Sequence, residues 1–99
     1  VSTSAKSADD VTARFSLGQN YPNPAVGPTS IGYSVPATSH VTLAVYDALG
    51  RRVMTPVDAV RAEGTHQALL DASSLPAGIY FYLVTSGDER SVGRMALVK

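Results

Sequence analysis

One stretch of the chain, residues 71–84, limits the possible folds more than any other. It begins as a tight corner, because Asp71 can bond its own backbone and Pro76 cannot donate to a sheet ladder. Gly78 then permits a backbone conformation that a Cβ would disfavour. The residues that follow, 79–84, are apolar, aromatic and β-prone without a break. The sequence therefore predicts a corner followed by a strand that is central, covered on both faces, or exposed on one apolar face.

Shorter stretches of alternating apolar and polar residues predict strands in the rest of the chain. Gly, Pro and Asp residues typical of turns separate them, and no window has the periodicity of an amphipathic helix. The predicted strands cover residues 14–17, 31–35, 40–46, 51–55, 65–70, 79–84 and 91–98. This pattern predicts an all-β fold, an immunoglobulin-like β-sandwich of about seven short antiparallel strands.

The alternation also predicts which side chains face the core. They are Phe15, Leu17, Ile31, Tyr33, Val35, Val41, Leu43, Val45 and Val53. A type I turn at residues 47–50, completed by a left-handed Gly50, is expected to join the third and fourth strands. Pro56 and Val57 are expected to end that hairpin, and residues 58–64 to form a connection.

The composition limits the chemistry that the chain can carry. Its 99 residues suffice for one domain, and eight basic and eight acidic residues give a formal net charge of zero. The chain has no cysteine, which excludes disulfides, thiolate zinc sites and a cysteine nucleophile. Because the chain has no excess of basic residues to bind phosphates, nucleic acid is not an expected partner. No apolar run approaches the roughly 20 residues that span a bilayer, so direct membrane insertion is not expected.

The first residues differ in composition from the rest. Residues 1–13 are rich in Ser, Thr and acids with few large apolar groups, so we expect a linker tail there and a sandwich domain over residues 14–99. The chain starts at Val1 with neither an initiator Met nor a signal peptide. We therefore expect a fragment of a longer protein.

Three sequence blocks and a closing segment, in fixed order, carry a family resemblance. They are LGQNYPNP at residues 17–24, VYDALGR at 45–51, LPAGIYFY at 75–82 and RMALVK at 94–99. Together they resemble the C-terminal sorting domain of the type IX secretion system, the type A domain or Por secretion tail, which has an immunoglobulin-like fold. The chain departs from the family pattern at residues 25–27, where a loop aromatic is missing, at Leu70, where Trp is common, and at Leu83, where Arg is common.

The resemblance implies a non-catalytic sorting and cell-attachment domain rather than an enzyme. Such a domain directs a large secreted enzyme, a glycoside hydrolase or a peptidase, across the outer membrane to the cell surface. The implied partners are the outer-membrane secretion machinery and a sortase-like surface peptidase. The implied location is secreted or on the outer cell surface. We expect no cofactor and no metal, and a monomer.

Two sets of residues are candidates for this role. The hypothetical recognition residues are Gly78, Tyr80, Phe81, Leu83, Arg94, Met95, Leu97 and Lys99. The structural motif residues are Asn20, Pro22, Pro24, Asp47, Gly50 and Asp71. One mechanism is that the last strand adds to a sheet of the partner, with Arg94 and Lys99 as polar handles.

Other functions remain open at this stage. A carbohydrate-binding module would need a row of exposed aromatic residues, and the chain has no Trp, 5 Tyr and 2 Phe. A structural spacer would need no partner at all. The turn acids Asp47, Asp71, Asp88 and Glu89 are expected to bond locally rather than to hold calcium. A catalytic arrangement of Ser73 or Ser74 with His66 and Asp71 lacks a nucleophile elbow.

Overall fold

The computed structural model describes residues 15–98, which form seven strands and no helix. The strands are β1 (Ser16–Leu17), β2 (Pro28–Val35), β3 (Ser39–Tyr46), β4 (Arg52–Arg61), β5 (Gly64–Asp71), β6 (Gly78–Ser86) and β7 (Glu89–Leu97). The predicted all-β fold is confirmed. Arg14 of the first predicted strand, Lys99 and the expected linker tail lie outside the described residues. Within residues 15–98, no helix is long and apolar enough to cross a membrane.

The strands form two antiparallel sheets. The smaller sheet has the order β1-β2-β5, and the larger sheet has the order β4-β3-β6-β7. In a constant-type immunoglobulin domain the fourth strand lies in the sheet of the first, second and fifth strands. Here it pairs with β3 as a hairpin, which leaves β5 at an edge of the smaller sheet. The strand that follows the predicted corner, β6, lies between β3 and β7.

The core lies between the two sheets and follows the predicted alternation. Side chains of β2 alternate between buried and less buried positions, and those of β3 do so except at Ala44, which is buried on the outward side. Every residue predicted to face inward on these strands is buried. Phe15 and Leu17 pack against the core from one side. The buried apolar residues of the strands include Ile31, Tyr33, Val35, Val41, Leu43, Val45, Val57, Leu70, Tyr80, Tyr82, Val84, Met95 and Leu97.

The β3–β4 turn forms as the sequence predicts. The Asp47 carboxylate accepts hydrogen bonds from the backbone N–H of Leu49 at 2.9 Å and of Arg51 at 3.0 Å. Arg51 also donates its Nε to this carboxylate at 2.9 Å. Gly50 has φ of +85°, a left-handed conformation that side-chain-bearing residues rarely adopt. These contacts set the point at which the chain reverses.

The predicted course of β4 is wrong, because the pairing with β3 shifts twice. Val45 pairs with Met54 and Tyr46 pairs with Arg52, so Val53 is an extra residue opposite no partner. Val53 is consequently exposed, and Met54 packs against the core in its place.

The hairpin also extends further than the sequence predicts. Pro56 lies at the second shift on this edge strand, where a missing donor is tolerated. It therefore does not end the strand. Val57 is buried, and β4 continues through the predicted connection to Arg61.

A glycine in β7 makes room for the largest buried side chain. Gly93 pairs with Tyr82 across the β6–β7 ladder, and the Tyr82 ring lies directly over it. A Cβ at position 93 would overlap the ring and lie 2.6 Å from its hydroxyl oxygen. The Tyr82 ring can therefore cross β7 only because residue 93 has no side chain.

We predict that Gly93→Ala destabilises the domain by about 1–3 kcal/mol, because the added methyl group overpacks a rigid ring. The matched control is Gly32→Ala in β2, where the nearest side-chain atom would lie 3.5 Å from the new Cβ. That change should alter stability by less than about 0.5 kcal/mol. Urea unfolding of both variants checks the prediction, and equal midpoints would contradict it.

Candidate functional site

Residues 15–98 contain no pocket and no group of three or more His, Cys, Asp or Glu side chains that could hold a metal ion. His66 and Asp71 lie in the same strand but on opposite sides of it, since His66 stacks on buried Tyr33 and Asp71 is exposed. The possible catalytic arrangement is therefore not assembled. A functional site in this part of the chain must be a sheet edge or a sheet face.

The last strand, β7, forms one edge of the larger sheet, and its second half is already paired. Gln19 Nε2 donates to the Arg94 carbonyl at 2.8 Å, and Ala96 N–H donates to Asn23 Oδ1 at 3.1 Å. Ala25 accepts from Val98 N–H at 2.9 Å and donates to the Ala96 carbonyl at 2.8 Å. Strand addition along this half of β7 would have to displace residues 19–25.

Residues 19–25, which we call the covering segment, are organised around a buried asparagine. Asn20 is 1% exposed, and its Nδ2 donates to the Pro22 carbonyl and to Thr29 Oγ1, each at 3.1 Å. Thr29 in turn donates to the Pro22 carbonyl at 3.0 Å. The peptide bonds before Pro22 and Pro24 are cis. Two motif residues, Asn20 and Pro22, thus have structural contacts that fix the path of the segment.

A core tyrosine ties this segment to the sandwich. The Tyr82 hydroxyl donates to the Gly18 carbonyl at 2.9 Å and accepts from Asn20 N–H at 3.1 Å. Burial raises the pKa of Tyr82 above its usual 10.0. The covering segment is therefore held by a hydroxyl whose charged form the core disfavours.

The corner before β6 has its own hydrogen bonds. Asp71 Oδ1 accepts from Ser73 Oγ at 2.7 Å and from Ser73 N–H at 3.1 Å, which lowers the pKa of Asp71. The Tyr80 hydroxyl donates to the Pro76 carbonyl at 2.7 Å. This is the tyrosine corner of immunoglobulin-like domains, a bond from the start of the sixth strand back to the preceding corner. Gly78, with φ of +153°, opens the strand.

The outward side of β6 carries exposed apolar residues. Tyr80, Tyr82 and Val84 point into the core, whereas Ile79 and Phe81 are 42% and 37% exposed. Leu83 is half-buried on the same outward side. Of the alternatives that the sequence allows for this strand, the structure has the one with a covered face and an exposed apolar face.

Neighbouring strands extend this apolar surface. Phe81 pairs with Tyr46 of β3, and Leu83 pairs with Val92 of β7. We call the outward side chains of Tyr46, Ile79, Phe81, Leu83 and Val92 the apolar face. They share one side of the larger sheet, opposite the core.

The structure separates the candidate recognition residues into two groups. Phe81, Leu83 and Arg94 lie together, since Phe81 and Arg94 are directly paired on the outward side. The side chains of Tyr80, Met95 and Leu97 lie in the core instead. Their alternation with Phe81 and Arg94 along each strand is the sequence signal that separates the two groups. Lys99 lies outside the described residues.

The comparison with known proteins identifies the family. The profile of the secretion system C-terminal sorting domain matches residues 19–98, which run from the covering segment to the end of β7. The chain belongs to this family. It is a C-terminal sorting signal for type IX secretion, which exports proteins toward the cell surface or out of the cell. No match to the chain is found among curated proteins.

We predict that Tyr82→Phe lowers the free energy of unfolding of this sorting domain by about 1–3 kcal/mol at neutral pH, because two buried backbone groups lose their partner. The raised pKa adds a pH dependence. A group whose pKa is higher in the folded state contributes stability below its ordinary pKa and loses it as the pH rises through the folded value. The difference between the two proteins should therefore shrink above pH 10.0.

Urea unfolding between pH 7 and about pH 11 measures this difference. The two proteins differ only at residue 82, so the comparison isolates the Tyr82 hydroxyl. A difference in stability that stays constant across this range would show that the buried hydroxyl does not resist ionisation.

Proposed function

We propose that this sorting domain directs a large secreted enzyme, a glycoside hydrolase or a peptidase, across the outer membrane to the cell surface. The secretion machinery recognises it through the apolar face. The observation that carries the proposal is a contiguous group of exposed and half-buried apolar residues on one side of a sheet whose other side packs the core. Contiguous exposed apolar surface of this kind is typical of interaction sites.

The opposite outer surface supports this choice. The outward side chains of the smaller sheet are mostly small or polar: Ser16, Ser30, Gly32, Ser34, Thr65, Gln67 and Asp71. Several bond to one another, as Ser16 does to Ser34 and Ser30 to Gln67. Leu69 is the exception, with 76% of its side chain exposed and no apolar strand neighbour opposite. The two outer surfaces therefore differ in composition, and the apolar one suits a protein partner.

The other parts of the chain have roles in this function as well. Residues 1–13 act as the linker between the secreted enzyme and the sandwich of residues 14–99. The domain itself performs no catalysis, uses no cofactor and works as a monomer. A sortase-like surface peptidase is its second partner, acting after the machinery has exported the protein.

We predict that replacing both Phe81 and Leu83 by Thr abolishes export of a reporter carrying a signal peptide and fused upstream of residues 1–99. Thr keeps the β-propensity of the strand and removes the apolar contacts. The matched control is Leu69→Thr, the same kind of change at a more exposed residue on the other outer surface. Fractionation of a host that has the type IX system, and of the same strain without its translocon, measures the reporter at the surface, in the medium and in the periplasm.

The expected result is export of the unchanged and Leu69→Thr reporters only when the translocon is present, and periplasmic retention of the double variant. Urea unfolding of the purified domains must show that the double variant is folded. An unchanged reporter that stays in the periplasm of both strains would refute the sorting function, and polysaccharide pull-downs would then test a carbohydrate-binding module. Export of the folded double variant would refute recognition through the apolar face.

A further inference from the structure

A row of four side chains crosses the whole outer side of the larger sheet. Arg52 pairs with Tyr46, Tyr46 with Phe81, and Phe81 with Arg94. The row therefore places two aromatic rings at the centre and one arginine on each edge strand. At the usual spacing between strands, the two arginine backbones lie about 14 Å apart.

The arginines of this row have no ionic partner within residues 15–98. The ion pairs of the described chain are His40 with Asp58 and Arg51 with Asp47. Arg52 and Arg94 take part in neither, and their guanidinium groups do not stack on a ring, since the aromatic contact in this part of the chain is that of Tyr33 with His66. Both charges are thus exposed to solvent beside the apolar face.

The charge near this row is positive although the chain is neutral overall. Along β7, Arg90 lies on the same side of the sheet as Arg94. The carboxylate on this side is Asp58, which contacts His40 at 2.5 Å. Among the strand residues that the structure describes on this side, three arginines thus stand against one carboxylate.

We propose that the partner presents an acidic protein surface to this row. Carboxylates of the partner bind the guanidinium groups of Arg52 and Arg94, and an apolar side chain packs on Phe81 between them. This inference rests on the proposed sorting function and specifies the chemistry of its partner. Guanidinium groups bind carboxylates with two parallel hydrogen bonds. An apolar centre with arginines at its rim also has the composition of a protein–protein interface.

An anionic lipid surface fits the row less well. Segments that bind anionic lipids usually cluster 4–8 Lys and Arg residues. Here this side of the sheet has three arginines, Arg52, Arg90 and Arg94. Two aromatic rings separate Arg52 from Arg94, and Asp58 lies on the same side. An acidic protein surface with matching apolar groups satisfies both the charges and the rings.

The test reverses one charge at a time in the reporter fusion. Arg52→Glu and Arg94→Glu should each lower the translocon-dependent exported fraction at least about tenfold, because each loses a charge-assisted contact and gains repulsion. Arg52→Lys and Arg94→Lys keep the charge and should lose less. The matched control is Arg61→Glu on β4, which pairs with Ser39 on the inward side of the sheet and should export normally.

A vesicle assay separates the two kinds of acidic surface. The purified domain is sedimented with vesicles containing phosphatidylglycerol and phosphatidylcholine, and we expect no binding that depends on Arg52 or Arg94. Binding that both Glu variants abolish would overturn the acidic-protein proposal in favour of a lipid surface.

The outcomes in cells distinguish the two proposals. If the unchanged reporter is exported and the Arg52→Glu and Arg94→Glu reporters are exported equally well, the acidic partner surface is refuted and the sorting function stands. If export of the Arg61→Glu reporter falls as far as export of the Arg52→Glu and Arg94→Glu reporters, the effect comes from the change in net charge and not from the row. That result also refutes the inference. If the unchanged reporter needs no translocon or is never exported, the sorting function fails and the inference fails with it.

Discussion

The buried hydroxyl of Tyr82 is the contact on which the arrangement of the domain depends. An unpaired hydroxyl in the core would be costly, so the position of Tyr82 requires partners, and the backbones of Gly18 and Asn20 supply them. The ring reaches them only across Gly93. Further hydrogen bonds, made by Gln19, Asn23 and Ala25, hold residues 19–25 along the second half of β7. Because this half of the edge is occupied, strand addition there is blocked, and the proposed partner surface is a sheet face instead.

The sequence predicts correctly which side of a strand faces the core only where the pairing register of that strand is constant. Where β2 pairs with β5 and β3 with β6 at constant register, side-chain parity alone identifies the residues that face the core, as Ile31 and Leu43 illustrate. In β4 the same rule fails, because each irregularity inserts a residue and reverses the parity beyond it. Val53 is therefore exposed where alternation places it inside. A bulge is set by pairing with a distant strand, which local periodicity does not contain.

The candidate site shows the same limit. Phe81 and Leu83 can be assigned to one side of a strand from the sequence, and their pairing with Arg94 and Val92 follows from a short hairpin. Tyr46 joins them only through the β3–β6 ladder, which connects residues far apart in the chain. The family resemblance selects core and surface residues alike. It therefore gives Tyr80 and Met95, which are buried, as recognition candidates together with the exposed Phe81.

Along β6, residues that stabilise the fold therefore alternate with residues that are proposed for recognition. Tyr80 and Tyr82 bond the corner and the covering segment, and losing either bond costs stability. Phe81, between them, contributes little to the core and points to solvent with Arg94 beside it. Substitutions one position apart should thus differ in kind, because one side of the strand holds the sandwich together and the other is free to bind. A sheet face suits such a role, since the pairing of β6 with β3 and β7 fixes the spacing of the side chains that a partner would contact.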